Sequence, residues 1–147
     1  MELLVNIDVD DLPKAIAFYR QAAGLRVGRR FGSLGVEMLG TSSPIFLLGK
    51  PPGTRASTTT TDVRRYGRHW TPVHLDFVVP EIEVAVRHAL AAGAKVEGEI
   101  ETHAWGRIAH LADPFGHGIC FIQFLGRGYD EIADAPSATA FVGQPRS

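Results

Sequence analysis

Two similar segments follow one another along the chain, and this duplication limits the folds that are open to it. Residues 5–9 (VNIDV) and residues 73–77 (VHLDF) each precede a stretch in which apolar residues recur at helical spacing. Each stretch ends at a glycine after two alanines, Gly24 in the first and Gly93 in the second. The distance between these glycines exceeds a solenoid repeat and suits a small folding unit. Two such units predict two sheets that enclose a cleft.

Residue periodicity predicts the same order of elements in both halves. Residues 3–9 and 72–79 are predicted strands, and helices are expected after Asp10 or Asp11 and over 81–92. Three further strands are expected in each half, near 25–31, 34–39 and 44–49 in the first and near 95–101, 106–112 and 117–125 in the second.

The predicted organisation has four parts. Residues 1–50 form the first module, 51–71 a linker or lid loop, 72–125 the second module and 126–147 a C-terminal tail. The arginine-rich linker is suited to attract an anionic ligand, or it is simply a solvated connection. The tail is either an arm that packs on a partner or a frayed end.

Composition narrows the functional class. Hydrophobic residues make up 45% of the 147 positions, and the net charge of −1 argues against nucleic acid as a partner. A single cysteine, Cys120, excludes an intrachain disulfide and a cysteine-cluster zinc site. No apolar run reaches the roughly 18 residues that span a bilayer, and no basic region opens a secretory signal. We therefore expect a cytoplasmic protein with no membrane partner.

Alternation along the first strand of each half predicts which side chains enter the cleft. Val5, Ile7 and Val9 should pack on the helices, as should their counterparts in the second half. The opposite faces carry the polar residues, namely Asn6 and Asp8 in the first half and His74 and Asp76 in the second. We expect these four side chains to line the cleft, although exposure at the end of a sheet explains them equally well.

Three phrases of the sequence resemble signatures of the vicinal oxygen chelate superfamily, which includes glyoxalase I, bleomycin-resistance proteins and extradiol dioxygenases. They are VDDLPKAIAFY at 9–19, VHLDFVV at 73–79 and LADPFGH at 111–117. The resemblance implies an α+β fold in which two βαβββ modules form a curved mixed sheet with a central cleft. It also implies a homodimer that binds a small-molecule ligand.

The resemblance further implies four metal-ligand positions, which fall on Leu4, Phe46, His74 and Cys120 in this chain. Leucine and phenylalanine cannot bind a metal, and His74 is the one clear metal ligand among the four. The expected cofactor is therefore none, or a divalent metal held by His74 at a displaced site.

Candidate site residues follow from these arguments. His74 and His110 are the candidate catalytic residues, an acid–base pair if they converge. His74 is alternatively a strand histidine that hydrogen-bonds to a neighbour such as Asp76 or Tyr66, and His110 is alternatively a histidine that only shapes a polar pocket wall. Cys120 is a soft ligand or nucleophile, or an inert apolar residue. The candidate ligand-binding residues are Asn6, Asp8, Met38, Phe46, Asp76, Trp105, Ile108 and Cys120. Trp70 is a further aromatic residue that can stack on a ligand.

Two functions are retained from the sequence, and a purely structural or regulatory interaction module is disfavoured because the strand faces are polar. The first is a small-molecule-binding protein that holds an aromatic or amphipathic organic ligand in the cleft without a metal. The alternative is a metal-dependent lyase, isomerase or dioxygenase-like enzyme that uses His74 and His110.

Overall fold

The computed structural model of the chain describes residues 1–135. Within this range the fold is α+β, with two mixed sheets and two α-helices, which confirms the predicted fold class. Part of the expected C-terminal tail, residues 136–147, lies outside the described residues. Its described part contains a short 3₁₀ helix at Gly128–Glu131.

The elements follow the predicted order. The first half contains β1 (Val5–Val9), α1 (Leu12–Ala23), β2 (Arg26–Arg30), β3 (Gly35–Leu39) and β4 (Ile45–Gly49). The second half contains β5 (Leu75–Val78), α2 (Ile82–Ala92), β6 (Lys95–Val96), β7 (Glu101–His103), β8 (Gly106–Ala112) and β9 (Gly118–Phe124).

The two sheets have matching topologies. The first has the order β1-β4-β3-β2, and the second has the order β5-β9-β8-β6, with β7 also paired to β8. β1 runs parallel to β4, and β5 runs parallel to β9. The remaining strand pairs are antiparallel. The strand expected over 95–101 is divided into β6 and β7. Gly98, at a φ of 116°, lies between them and turns the chain away from extended geometry.

Local sequence signals explain the helix ends. The Asp11 side chain accepts a 3.0 Å hydrogen bond from the backbone N–H of Lys14, as an N-cap residue does. Gly24 and Gly93 end the two helices in the left-handed conformation, with φ values of 65° and 109°. These caps fix where each helix stops and where the following strand begins.

The helices pack on one side of the strands and bury the apolar faces that alternation predicts. Ile7 and Val9 of β1 are buried in the core, while Asp8 between them is half-buried and Asn6 before them is exposed. In β5, Leu75 and Phe77 pack against the same core, and Asp76 is exposed. The polar faces are therefore available to form a site. No helix within residues 1–135 is long and apolar enough to cross a membrane.

Candidate functional site

A row of polar side chains crosses the second sheet. Asp76 on β5 is the register partner of Cys120 on β9, and Cys120 is the register partner of His110 on β8. Directly opposed residues on neighbouring strands point to the same face of a sheet, so these three side chains share the face away from α2. The backbone N–H of Glu97 donates to the His110 carbonyl at 2.8 Å and continues the row beyond β8.

His74, the residue before β5, joins this row. It lies two residues before Asp76, and its Nδ1 is 2.8 Å from the Asp76 Oδ1. The ligand atoms of His74, Asp76 and Cys120 all lie within 4.8 Å of one another. The structure thus brings together two predicted ligand-binding residues and one predicted catalytic residue.

Cys120 is held as a thiol. Burial, and next the negative charge of Asp76, raise the pKa of Cys120 from 9.0 to about 11. The residue is only 7% exposed. A protonated and enclosed sulfur is a weak nucleophile, which favours the inert alternative for Cys120.

A cavity of about 240 Å³ lies over the row. His74, His110 and Cys120 line it from the sheet, and residues 68–71 of the linker line it from the other side. The linker thereby lies over part of the polar face of the second sheet and supplies Trp70 to the cavity wall.

Arg68 holds the linker in this position. Its Nη2 lies 2.9 Å from the Glu97 Oε2, and this pairing lowers the pKa of Glu97. Its guanidinium carbon lies 3.7 Å from the centre of the Trp70 ring. Arg68 therefore covers one face of the indole, while Trp70 as a whole remains 77% exposed.

Two glycines of the predicted LADPFGH turn and its continuation allow the close approach of the linker. A Cβ on Gly116, which has a φ of 84°, would collide with the Gly67 carbonyl oxygen. A Cβ on Gly118 would lie 2.8 Å from the Arg68 Nη2. The His69 N–H donates to the Gly116 carbonyl at 2.7 Å and fixes the contact. Gly116 needs glycine because the backbone of Gly67 packs directly against it, whereas a side chain at Gly118 would displace the Arg68 guanidinium.

A second cavity, of about 670 Å³, lies between β1 and the beginnings of β5 and β9. Asn6 and Asp8 line it from the first half, and His74 lines it from the second. It shares six lining residues with the 240 Å³ cavity, namely His69, Thr71, Val73, His74, Gly118 and Ile119. We call the two connected cavities the groove.

Asp8 is already paired within the groove. Its Oδ2 lies 2.8 Å from the Arg64 Nε, and its carbonyl oxygen lies 2.7 Å from the His117 Nε2. The His117 ring stacks on His69 at a centroid distance of 5.2 Å. Asp8 therefore anchors the linker and the turn, and Asn6 keeps its side chain exposed on the same strand face.

Four predicted ligand-binding residues lie elsewhere. Met38 was expected in the cleft, but it is fully buried in the core, because on β3 the helix-facing positions are Val36 and Met38. Trp105 lies outside both cavities in an aromatic cluster, 5.3 Å from His103 and 5.3 Å from Tyr129 between ring centroids. Phe46 and Ile108 share strand faces with Asn6 and His110 but do not line the groove.

The sequence reasoning missed His69, Thr71, Val73 and Glu97, which line the groove. Residues 68–71 follow Gly67 in a segment without periodicity, so nothing in their spacing indicated where they fold back. The only available signal was the arginine content of the linker, which is consistent with its pairing to Asp8 and Glu97.

Comparisons with known proteins agree with this architecture. The model of the Glyoxalase-like domain matches residues 4–122. Anthracycline biosynthesis protein DauV from Streptomyces sp. (strain C5) is 33% identical over 138 residues, which is 90% of this chain and 44% of that protein. Anthracycline biosynthesis protein DnrV from Streptomyces peucetius is 30% identical over 135 residues, which is again 90% of this chain and 44% of that protein. The chain thus spans under half the length of these curated relatives.

Solved structures share the fold at low identity. A glyoxalase/bleomycin resistance protein/dioxygenase family enzyme from Burkholderia phytofirmans PsJN has a TM-score of 0.63 at 21% identity, covering 83% of this chain and 97% of its own. TioX from Micromonospora sp. ML1 has a TM-score of 0.63 at 15% identity, and the match covers 85% of this chain and 99% of TioX. Lactoylglutathione lyase from Agrobacterium tumefaciens has a TM-score of 0.58 at 18% identity, with coverages of 84% and 92%.

Proposed function

The chain belongs to the Glyoxalase-like domain family of the vicinal oxygen chelate superfamily, and on that premise we propose that it binds a planar aromatic organic ligand in the groove without a metal ion. The single observation that carries the proposal is the arrangement of Trp70. One face of its indole is covered by the Arg68 guanidinium, and the residue is 77% exposed beside the 240 Å³ cavity. An indole fixed on one side and open on the other is a stacking surface for an aromatic ring.

The size of the groove supports an organic ligand. An apolar cavity of about 150 Å³ accommodates benzene, so 240 Å³ is sufficient for one or two fused rings. The connected cavity of 670 Å³ lies within the range of about 300–1,000 Å³ that is typical of small-molecule sites. A larger ligand can therefore extend from the second sheet towards β1.

The charges around the 240 Å³ cavity favour a ligand with little net charge. Arg68 and Glu97 both line this cavity, and they are paired with each other. A carboxylate or phosphate on the ligand would have to compete with Glu97 for the guanidinium. The linker thus contributes an aromatic side chain to the cavity wall, while its Arg68 is already paired and is not free to bind an anion.

The residues present do not fit the metal site that the family resemblance implies. Leu4 and Phe46 have hydrocarbon side chains and offer no donor atom, and Cys120 is only 7% exposed. His74 and Asp76 remain as donors, but they are bonded to each other. Divalent metals in proteins usually need three or four protein ligands, so we assign no step to a metal.

The names of the curated relatives indicate a ligand class to test. DauV and DnrV are described as anthracycline biosynthesis proteins. Anthracyclines are planar fused-ring aromatics, and such a ring system suits an exposed indole at the wall of a groove. An anthracycline aglycone is accordingly the first probe for this protein.

A homodimer in the cytoplasm is part of the proposal. Val73 is 80% exposed and Leu3 is 70% exposed, and both lie at the groove. β1 and β5 are end strands of their sheets among the strands that the structure describes. A second copy that covers these apolar side chains would close the groove, and light scattering should then give twice the chain mass of 16.0 kDa.

The second candidate function is an enzyme of the lyase, isomerase or dioxygenase type. The observation in its favour is that His74 and His110 line the same cavity, where two imidazoles can act as acid and base. The donor group of His74, Asp76 and Cys120 would be its metal site. Elemental analysis of purified protein with about one metal ion per chain, lost in a His74→Ala variant, would favour the enzyme.

Calorimetric titration with an anthracycline aglycone tests the proposed binding. The protein is dialysed against a chelator and titrated, and the titration is repeated after addition of Mn²⁺, Fe²⁺, Ni²⁺ or Zn²⁺. We expect the same Kd in every case. Binding that appears only after a metal is added would refute the proposal and favour the enzyme.

A further inference from the structure

The pairing of His74 with Asp76 fixes where the imidazole carries its proton. Nδ1 of His74 lies 2.8 Å from Oδ1 of Asp76. A carboxylate only accepts hydrogen bonds, so the hydrogen in this contact belongs to Nδ1. In a neutral imidazole with a proton on Nδ1, the other ring nitrogen, Nε2, carries a lone pair and acts as an acceptor.

The His74 side chain is accessible in the groove. His74 lines both cavities, and its side chain is 57% exposed even though Nδ1 is bonded to Asp76. The two ring nitrogens diverge, so an imidazole that turns Nδ1 to Asp76 presents Nε2 away from it. The part of the ring left for a ligand is therefore the hydrogen-bond acceptor.

We propose that Nε2 of His74 accepts a hydrogen bond from a hydroxyl group of the aromatic ligand, so that the groove selects phenols over their methyl ethers. This inference rests on the proposed binding function and names the chemical class of its ligand. A phenol donates to Nε2 while its ring contacts Trp70, which lines the same 240 Å³ cavity as His74. A methyl ether has no hydrogen to donate and leaves the lone pair of Nε2 unpaired.

Asp76 is the positioning residue in this arrangement. It is the register partner of Cys120 on β9, which holds the backbone of β5 and so places the carboxylate under Nδ1. Loss of the carboxylate would free His74 to place its proton on either nitrogen. The preference for a donor should then weaken, although the groove keeps its shape.

His103 offers a matched control. It lies two residues from an acidic partner on the same strand, with Nε2 3.3 Å from the Glu101 Oε2, as His74 does with Asp76. It lies outside both cavities, so its substitution should leave ligand selection unchanged.

The test compares 2-naphthol with 2-methoxynaphthalene, two fused-ring probes that differ only at the hydroxyl. Affinities are measured by calorimetry for the full chain and for its His74→Phe, Asp76→Ala and His103→Gln variants. We expect the full chain and His103→Gln to bind 2-naphthol roughly tenfold more tightly than 2-methoxynaphthalene. This difference in affinity corresponds to one net hydrogen bond. His74→Phe should bind both probes alike, and Asp76→Ala should show a reduced preference.

Nitrogen-15 NMR of the imidazoles gives a readout that does not depend on any variant. We expect His74 to show a protonated Nδ1 and an unprotonated Nε2, and a proton on Nε2 would overturn the inference. Equal affinity of the full chain for the two probes would also overturn it while leaving the binding function intact. If neither probe nor an anthracycline aglycone binds, the proposed function itself fails, and the selection for phenols fails with it.

Discussion

The hydroxyl of Tyr19 donates a 2.7 Å hydrogen bond to the Asp113 Oδ2, and this bond links α1 of the first half to the turn that supports the linker. Both residues are buried. The other oxygen, Oδ1, accepts the backbone N–H groups of Phe115 and His117. The turn that carries Gly116 is thus held by one carboxylate that is also bonded to the opposite module.

Substitution Tyr19→Phe should therefore destabilise the fold. It leaves one oxygen of a buried carboxylate without a donor, which costs about 1–3 kcal/mol. Urea unfolding followed by circular dichroism measures the loss. Tyr129→Phe is the control, since Tyr129 is exposed, and it should be nearly neutral. Equal stability of Tyr19→Phe and the unchanged chain would show that the bond does not hold the modules together.

Trp70 and Trp105 should respond differently to an aromatic ligand. Trp70 lines the groove, whereas Trp105 lies in the cluster with His103 and Tyr129. Trp70→Ala should weaken binding of an anthracycline aglycone roughly tenfold, because the stacking contact is lost. Trp105→Phe should leave Kd unchanged. Fluorescence quenching by the ligand should persist in Trp105→Phe and largely disappear in Trp70→Ala; the opposite pattern would place the ligand at the Trp105 cluster.

Glu37 should make the stability of the fold depend on pH between about 2 and 4.5. Hydrogen bonds from Arg29 to its side chain lower the pKa of Glu37 from 4.5 to about 2. A depressed carboxyl pKa in the fold stabilises the protein above the unfolded pKa, and this stability is lost as the pH falls from about 4.5 towards 2. Glu37→Gln should be less stable at pH 7 and should lose less stability in that pH range.

Thermal melts between pH 2 and pH 7 measure this difference. The exposed residue Glu99 provides the control, and Glu99→Gln should follow the unchanged chain at each pH. Parallel curves for Glu37→Gln and the unchanged chain would contradict the assignment of this pH dependence to Glu37.

Cys120 should be unreactive in the folded protein. Its pKa is raised to about 11 by burial and by the Asp76 charge, so little thiolate is present at pH 8. Iodoacetamide should alkylate it slowly in buffer and rapidly in guanidinium chloride. Mass spectrometry measures both rates, and fast alkylation of the folded chain would restore Cys120 as a candidate nucleophile or metal ligand.

Structural features that depend on a few neighbouring residues could be predicted from the sequence. The cap at Asp11, the glycine stops at Gly24 and Gly93, and the alternation in β1 and β5 all depend on neighbouring positions. They determined the order of the elements and the α+β class. The division into modules at residues 50 and 72, and the assignment of a ligand-contacting role to each site residue, remain predictions.

Features that depend on tertiary contact were not readable. Met38 was a candidate ligand-binding residue, but β3 places it in the core and presents Glu37 on the opposite side, where Arg29 pairs with it. Trp105 packs with Phe124 and Tyr129, which follow it by about 20 residues or more. The position of linker residues 68–71 at the cavity depends on close packing against Gly116 and Gly118. No local sequence pattern indicates this packing.

A crystal structure of the protein grown with an anthracycline aglycone and a chelator tests the central claim most directly. The account predicts the ring system in van der Waals contact, about 3.5–4 Å, with the open face of Trp70, and a ligand hydroxyl within hydrogen-bond distance of the His74 Nε2. A ligand bound outside the groove, or one held through a metal on His74, Asp76 and Cys120, would contradict it.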